Sequence, residues 1–188
     1  MLQRRLSIFG STGSIGTSTL ALVDTAPERF KIECLVAGSN HALLAEQALK
    51  YRPQIVGLRD ESGLPALEAA LAGSGIELAF GQHDCDELAR IQVDIVIGGI
   101  TGLAGLGSVM AAVETGQTLA LANKEALVSA GRIVMQTAYE NGARILPLDS
   151  EHSAIFQCWA GWRSHHPELL MPKSDALEEI SHICLTAS

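Results

Sequence analysis

The sequence predicts an α/β fold built on a doubly wound, mostly parallel sheet. Short apolar runs alternate with stretches of helical period as far as residue 148. The connections between them are short, as crossover units require. Two glycine clusters, at residues 10–16 and 98–107, follow the first and fifth apolar runs, where strands of such sheets hand over to helices.

The first strand is Leu6-Ser7-Ile8-Phe9, close enough to Met1 to leave no room for a secretory apolar segment. Gly10-Ser11-Thr12-Gly13-Ser14-Ile15-Gly16 then leads into a helix expected to bury Ile15, Leu20, Leu22 and Val23. A strand, a glycine turn and a helix in that order are the setting in which backbone amides hold a diphosphate. The glycines permit the tight turn, the close approach of the anion and the packing of helix on strand. The helix start adds unbonded amides and the positive end of its dipole. Ser11, Thr12 and Ser14 add hydroxyls. A turn that binds nothing is the structural alternative.

The second strand, Phe30–Ala37, ends in Gly38-Ser39-Asn40-His41. An acid at this tip grips the ribose of NAD and repels a 2′-phosphate. Here Glu33 lies mid-strand and the tip is neutral, which favours NADP over NAD, although no arginine stands in the stretch. His41 either meets a phosphate or opens the next helix, at residues 43–51. A third strand at 53–58 follows, then a helix carrying Leu64, Leu67 and Leu71. Strands at 76–80 and 93–97 flank a polar helical segment at 82–90.

Gly98, Gly99, Gly102, Gly105 and Gly107 then allow two readings. One is a loop passing under a cofactor; the other is a glycine-rich turn into the helix at 106–113. The sixth strand, 118–122, delivers Asn123-Lys124-Glu125 to the rim where open α/β sheets bind ligands. There Lys124 can donate to a substrate oxygen or phosphate while Asn123 and Glu125 hold cofactor hydroxyls. The helix after it, 126–139, is expected to turn Val128, Ile133, Val134 and Ala138 to the core.

The seventh strand, 144–148, ends in Asp149-Ser150-Glu151-His152-Ser153. Two carboxylates two residues apart form half a site for Mg²⁺ or Mn²⁺. A capped helix N-terminus accounts for the same residues, and both readings stand. His152 is a third ligand or a solvent-facing neighbour. Beyond Trp159 the chain reads as a loop through His165-His166, an acidic segment at 175–179, and an eighth strand at 180–186. It stops at Ser188 just after that strand, as the front part of something longer does.

Hydrophobic residues make up 47% and charged residues 18% of the chain, which excludes wholesale disorder. A formal charge of −8 with only four lysines excludes nonspecific nucleic-acid binding. No apolar run approaches the length of about 18 residues that a membrane span needs. Cys34, Cys85, Cys158 and Cys184 are too scattered for a zinc site or a disulfide framework, and Cys34 and Cys184 lie inside apolar runs.

With G-S-T-G-S-I-G at residues 10–16, L-A-N-K-E at 121–125, D-S-E-H-x-A-I-F-Q at 149–157 and Leu185-Thr186-Ala187-Ser188 in order, the chain resembles the N-terminal part of the 1-deoxy-D-xylulose 5-phosphate reductoisomerase family. The resemblance implies an NADPH-binding Rossmann domain over residues 1–148 and, over 149–188, the start of an α/β metal- and substrate-binding catalytic domain. It implies pyrophosphate contacts at Thr12, Gly13, Ser14 and Ile15, with Gly10 also in the cofactor site, and ribose and 2′-phosphate contacts at Gly38, Ser39 and Asn40. Ser39 stands where family members often carry a basic residue. Asn123 and Glu125 match cofactor contacts, and Lys124 a catalytic substrate contact. Asp149 and Glu151 match metal ligands for Mg²⁺ or Mn²⁺, Glu151 also being catalytic. Ser150, Glu151 and Ser188 match substrate positions. The implied activity is NADPH-dependent conversion of a sugar phosphate, 1-deoxy-D-xylulose 5-phosphate, to 2-C-methyl-D-erythritol 4-phosphate in non-mevalonate isoprenoid biosynthesis. The setting is a cytoplasmic homodimer with no nucleic-acid or membrane partner. The 188-residue chain itself is expected to bind NADPH without turnover. Two alternatives remain: an NADP-dependent semialdehyde dehydrogenase, with Cys158 as nucleophile, and a non-catalytic nucleotide-binding module.

Overall fold

The computed structural model of the chain describes residues 3–163. Seven strands among them form one sheet: β1 (Arg4–Phe9), β2 (Phe30–Ala37), β3 (Ile55–Leu58), β4 (Glu77–Phe80), β5 (Ile95–Gly98), β6 (Thr118–Leu121) and β7 (Arg144–Pro147). Their order is β4-β3-β2-β1-β5-β6-β7, and every registered pair from β4 across to β6 is parallel. Strands covered on both faces bury every side chain in a row instead of alternate ones. That is why Leu6–Phe9 and Ile32–Ala37 are continuously buried.

The connecting helices are α1 (Ser14–Thr25), α2 (His41–Tyr51), α3 (Leu64–Leu71), α4 (Gly81–Glu87), α5 (Leu106–Glu114) and α6 (Lys124–Asn141), with α7 (Ser150–Arg163) after β7. One core cluster joins Ile8, Leu35 and Val56 of the sheet to Leu20 of α1, Leu44 of α2 and Leu67 of α3. The chain winds outward from β1 to β4 and then returns to β1's other edge with β5. The strand order therefore reverses between β1 and β5, where the carboxyl ends of an open sheet leave a ligand crevice.

Two expected core faces are corrected. Leu22 is 67% exposed, because Leu20 and Val23 define the buried stripe of α1 and Leu22 points away from it. On α6, Val134 and Ala138 are buried as expected, but Val128 is 84% and Ile133 58% exposed. The buried stripe there runs Ala126, Val134, Ala138, and Val128 lies about 200° around the helix from Ala126. A break in helical geometry at Ala130 (φ −133°, ψ 17°) shifts the phase further.

The chain divides into two compact units, Met1–Leu146 and Pro147–Ser188. Of the second, the structure describes residues 147–163. The expected eighth strand, the acidic segment at 175–179, His165, His166, Cys184 and Ser188 lie outside the described residues. Among the described residues no helix is long and apolar enough to cross a membrane.

Candidate functional site

The glycine turn closes on itself before it meets any ligand. Gly10 N–H and Ser11 N–H both donate to Val36 O at the end of β2 (2.8 and 2.9 Å), and Gly13 N–H donates to Gly10 O (3.0 Å). Gly10 has φ +84°, and a Cβ there would stand 2.7 Å from the Gly99 carbonyl at the end of β5. A Cβ on Gly16 would collide with Gly10 O and the Ser11 backbone. These two positions accept only glycine, so the start of α1 is drawn tightly onto the β1 edge. Gly13 precedes α1 and brings no side chain to cap it. The first helical amides, at Ser14 and Ile15, lack intrahelical acceptors and sit at the positive end of the dipole. Thr12 is half-buried, and Gly13 and Ser14 are exposed beside them.

Ser11 departs from the expected row of hydroxyls. Its side chain is fully buried, with no hydrogen-bond partner for Oγ among the described residues. Its amide goes to Val36 and its carbonyl accepts from Gln47 Nε2 of α2 (2.9 Å), and these two bonds turn the residue inward. Gln47 is 6% exposed and bolts the turn to α2. Sequence reasoning missed it. The available signal was one polar residue among Leu44, Ala45 and Ala48 on the buried stripe.

At the β2 tip, Gly38, Ser39 and Asn40 are exposed. The Asn40 side chain accepts the Leu43 amide (3.1 Å) and caps α2, which begins at His41. Glu33 is withdrawn from this tip. It is 3% exposed and bonded at 2.8 Å to both Arg5 and Lys31. Burial pushes its pKa up, but the hydrogen bonds from Lys31 and Arg5 outweigh burial and leave it below the usual value.

The neighbouring strand brings an unforeseen cation to the same edge. Arg59 follows β3, its amide donating to Ala37 O (3.1 Å), and Asp60 N–H donates to Gly38 O (2.9 Å). The Arg59 side chain is 10% exposed, and among the described residues Nη1 and Nη2 have no hydrogen-bond partner. Asp86 Oδ1 on α4 lies 3.8 Å from Nη1, beyond hydrogen-bond range. Burial raises the Asp86 carboxyl above its usual range, and the attraction of Arg59 offsets this only in part. The signal in the sequence was an arginine directly after the third strand; that this strand borders the β2 tip is known only from the fold.

The second glycine cluster serves packing at the positions where it is tightest. A Cβ on Gly105 would stand 2.5 Å from Asn123 Nδ2, and one on Gly99 would stand 3.0 Å from Phe9 O. Asn123 itself is 1% exposed. Its Oδ1 accepts the Ala126 amide (3.0 Å) and caps α6, while Nδ2 donates to Ile100 O (2.7 Å) and Gly102 O (2.8 Å). Both amide hydrogens are thereby committed to the loop after β5. Lys124 and Glu125 open α6 with exposed side chains. A first-turn carboxylate suits the helix dipole and a first-turn ammonium opposes it. Local helix energetics therefore account for Glu125 and leave Lys124 unexplained.

In the second unit, Asp149 Oδ1 accepts the His152 amide (2.9 Å) and stands 2.6 Å from His152 Nδ1, and Asp149 O accepts from Ser153 N–H (2.9 Å). Asp149 is the N-cap that the structural reading describes. Ser150 Oγ donates to Glu151 Oε2 (2.7 Å) one residue on. Both carboxylates carry the hard oxygen donors that Mg²⁺ and Mn²⁺ accept. Among the described residues no cluster of three or more His, Cys, Asp or Glu stands ready for a metal.

Cys34 and Cys85 are buried; burial raises both thiols, Cys85 to about 12. Cys158, expected outside strands and helix cores, is exposed on α7.

A family model described as 1-deoxy-D-xylulose 5-phosphate reductoisomerase matches residues 6–131. A relative of that name from Ruegeria sp. (strain TM1040) is 44% identical over 185 residues, covering 98% of this chain and 44% of its own. A solved 1-deoxy-D-xylulose 5-phosphate reductoisomerase from Zymomonas mobilis, in complex with NADPH, is similar with a TM-score of 0.81 at 41% identity. It covers 84% of this chain and 41% of that one. A DOX-P reductoisomerase in complex with NADPH, fosmidomycin and magnesium reaches 0.79 at 39% identity, covering 84% of this chain and 39% of that one. The chain thus spans less than half the length of the relatives it matches. On the match of its motifs, its sheet and its sequence, the chain belongs to the 1-deoxy-D-xylulose 5-phosphate reductoisomerase family.

Proposed function

We propose that this chain is the NADPH-binding portion, with the first metal-binding segment, of an enzyme that converts 1-deoxy-D-xylulose 5-phosphate to 2-C-methyl-D-erythritol 4-phosphate. The observation that carries the reading is the glycine turn at the β1/β5 reversal. Gly10 and Gly16 leave no room for a side chain and hold that turn close against the start of α1, which no side chain caps. A diphosphate supplies the acceptors that the Ser14 and Ile15 amides lack. When bound, the nicotinamide supplies hydride to a carbonyl carbon, and a divalent ion supplies Lewis-acid charge to the substrate's oxygens.

This chain's residues then have distinct parts. The turn fixes the diphosphate, and Gly38, Ser39 and Asn40 border the adenosine ribose. Asn123 holds the loop after β5 in place, with Glu125 beside the cofactor. The exposed Lys124 ammonium donates to substrate oxygens. Asp149 and Glu151 would hold Mg²⁺ or Mn²⁺, and Ser150 and Ser188 would contact the sugar phosphate. A cytoplasmic homodimer of a longer polypeptide goes with this reading.

Thermal unfolding of the purified chain with and without NADPH tests it. A ligand at a hundred times its Kd adds about 2.7 kcal/mol to stability. NADPH is expected to raise Tm, and the chain is expected to leave NADPH unoxidised when the ketose phosphate and Mg²⁺ are added. An unchanged Tm in a cooperatively folded chain would contradict the binding reading. Substrate-dependent NADPH oxidation would contradict the division of labour.

A further inference from the structure

The neutral β2 tip leaves a question of charge. A 2′-phosphate carries two negative charges near pH 7, and Gly38-Ser39-Asn40 offers no cation to meet them. We propose that Arg59 is the specificity residue for the 2′-phosphate, supplying from the end of β3 the charge that the β2 tip lacks. The proposal rests on the dinucleotide-binding reading above and assigns a residue within it.

Three observations carry it. The first is position. Arg59 stands level with the strand tip, since its amide bonds Ala37 O and the next amide bonds Gly38 O. Adjacent strands are about 4.8 Å apart, a gap that an arginine side chain crosses easily. The second is an unmet demand. The side chain is nine-tenths buried, yet among the described residues Nη1 and Nη2 have no hydrogen-bond partner. Buried donors are nearly always satisfied, so an orphaned pair on a side chain rooted beside the β2 tip points to a partner that arrives from outside. The third is chemistry. Two Nη groups of one planar fork match two oxygens of a phosphate, the bidentate pairing for which arginine is suited.

The carboxylates nearby do not answer that demand. Asp86 stays at 3.8 Å, close enough to attract the cation and too far to satisfy its N–H groups. Asp60 directs its carboxylate to the Ser62 amide (3.0 Å). The proposal also accounts for Ser39, because a second cation there would be redundant.

Nicotinamide fluorescence titrations of the 188-residue chain with NADPH and NADH test this, with displacement by 2′,5′-ADP and by 5′-ADP as a second readout. Arg59→Gln is expected to weaken NADPH about tenfold to a hundredfold, the worth of a charge-assisted hydrogen bond. NADH affinity stays as it was, and the advantage of 2′,5′-ADP over 5′-ADP is lost. Adding Ser39→Arg to that variant is expected to restore the NADPH preference from the β2 side. Asp86→Asn retains Arg59 and removes its competing charge, so NADPH binds more tightly and NADH does not change. It serves as the independent variant if Arg59→Gln fails to fold.

Equal losses for both nucleotides in folded Arg59→Gln would overturn the proposal. So would an undiminished NADPH preference in that variant, or Asp86→Asn that leaves NADPH affinity unchanged or weaker. A wild-type chain that binds NADH as well as NADPH also sinks it while leaving dinucleotide binding intact. A folded wild-type chain that binds neither sinks the dinucleotide reading itself.

Discussion

Single residues in this fold show how burial changes what a charge does. Glu33 lies in the middle of a buried strand, and it is tolerated there because Arg5 and Lys31 both reach its Oε1. Its folded pKa is lowered, so its contribution is present above the unfolded value and is lost as pH falls through the folded one. Glu33→Gln is therefore expected to cost about 1–3 kcal/mol at neutral pH. That cost shrinks towards zero in acid, where the wild-type carboxyl is itself neutral. Urea denaturation of both proteins at pH 7 and at pH 3 checks this; a cost that persists undiminished in acid would show that shape, not charge, matters at this site. Arg59 differs from Glu33 in one respect. Its two Nη groups are buried with no hydrogen-bond acceptor among the described residues, and that contrast marks it for a ligand.

At the scale of elements, the decisive piece is the junction between β6 and α6. Asn123 caps α6 and holds the carbonyls of Ile100 and Gly102 with the same side chain. One residue thus locks the loop after β5 against the helix that presents Lys124. Asn123→Ala removes the cap and leaves two buried carbonyls without donors, an expected loss of about 2–4 kcal/mol. Asn123→Asp separates the two roles. The carboxylate still caps the helix but repels both carbonyls, so the loop after β5 loosens while the start of α6 stays protected. Amide hydrogen exchange distinguishes them: faster exchange confined to residues 99–105 is expected, and equal loosening of both elements would refute the division. The start of α7 has the same economy, since Asp149 caps the helix with the carboxylate that the family resemblance assigns to a metal.

Across the molecule, what was legible in the sequence is what repeats along it. The continuous apolar runs of β1 and β2 announce a sheet covered on both faces. The glycines at 10, 13 and 16 announce the turn, because no other residue fits the contacts at Gly10 and Gly16. Helix phase was less legible. Leu22 and Val128 are apolar yet exposed, and nothing local distinguishes them from Val23 and Val134. Contacts between residues far apart in sequence were not legible at all. Gln47 on the Ser11 carbonyl, Asn123 on the Gly102 carbonyl and Arg59 beside the β2 tip depend on which strands become neighbours, and strand order is a property of the whole fold. The site residues of the second unit divide similarly. Asp149, Ser150 and Glu151 stand at the start of one helix, whereas Ser188 lies outside the described residues.

The most direct measurement is a crystal structure of the chain soaked with NADPH at saturating concentration. The account predicts diphosphate oxygens within hydrogen-bond distance of the Ser14 and Ile15 amides, with Gly10 and Gly16 packed as they are now. Diphosphate density anywhere else on the chain, or a glycine turn left empty at full saturation, would contradict it.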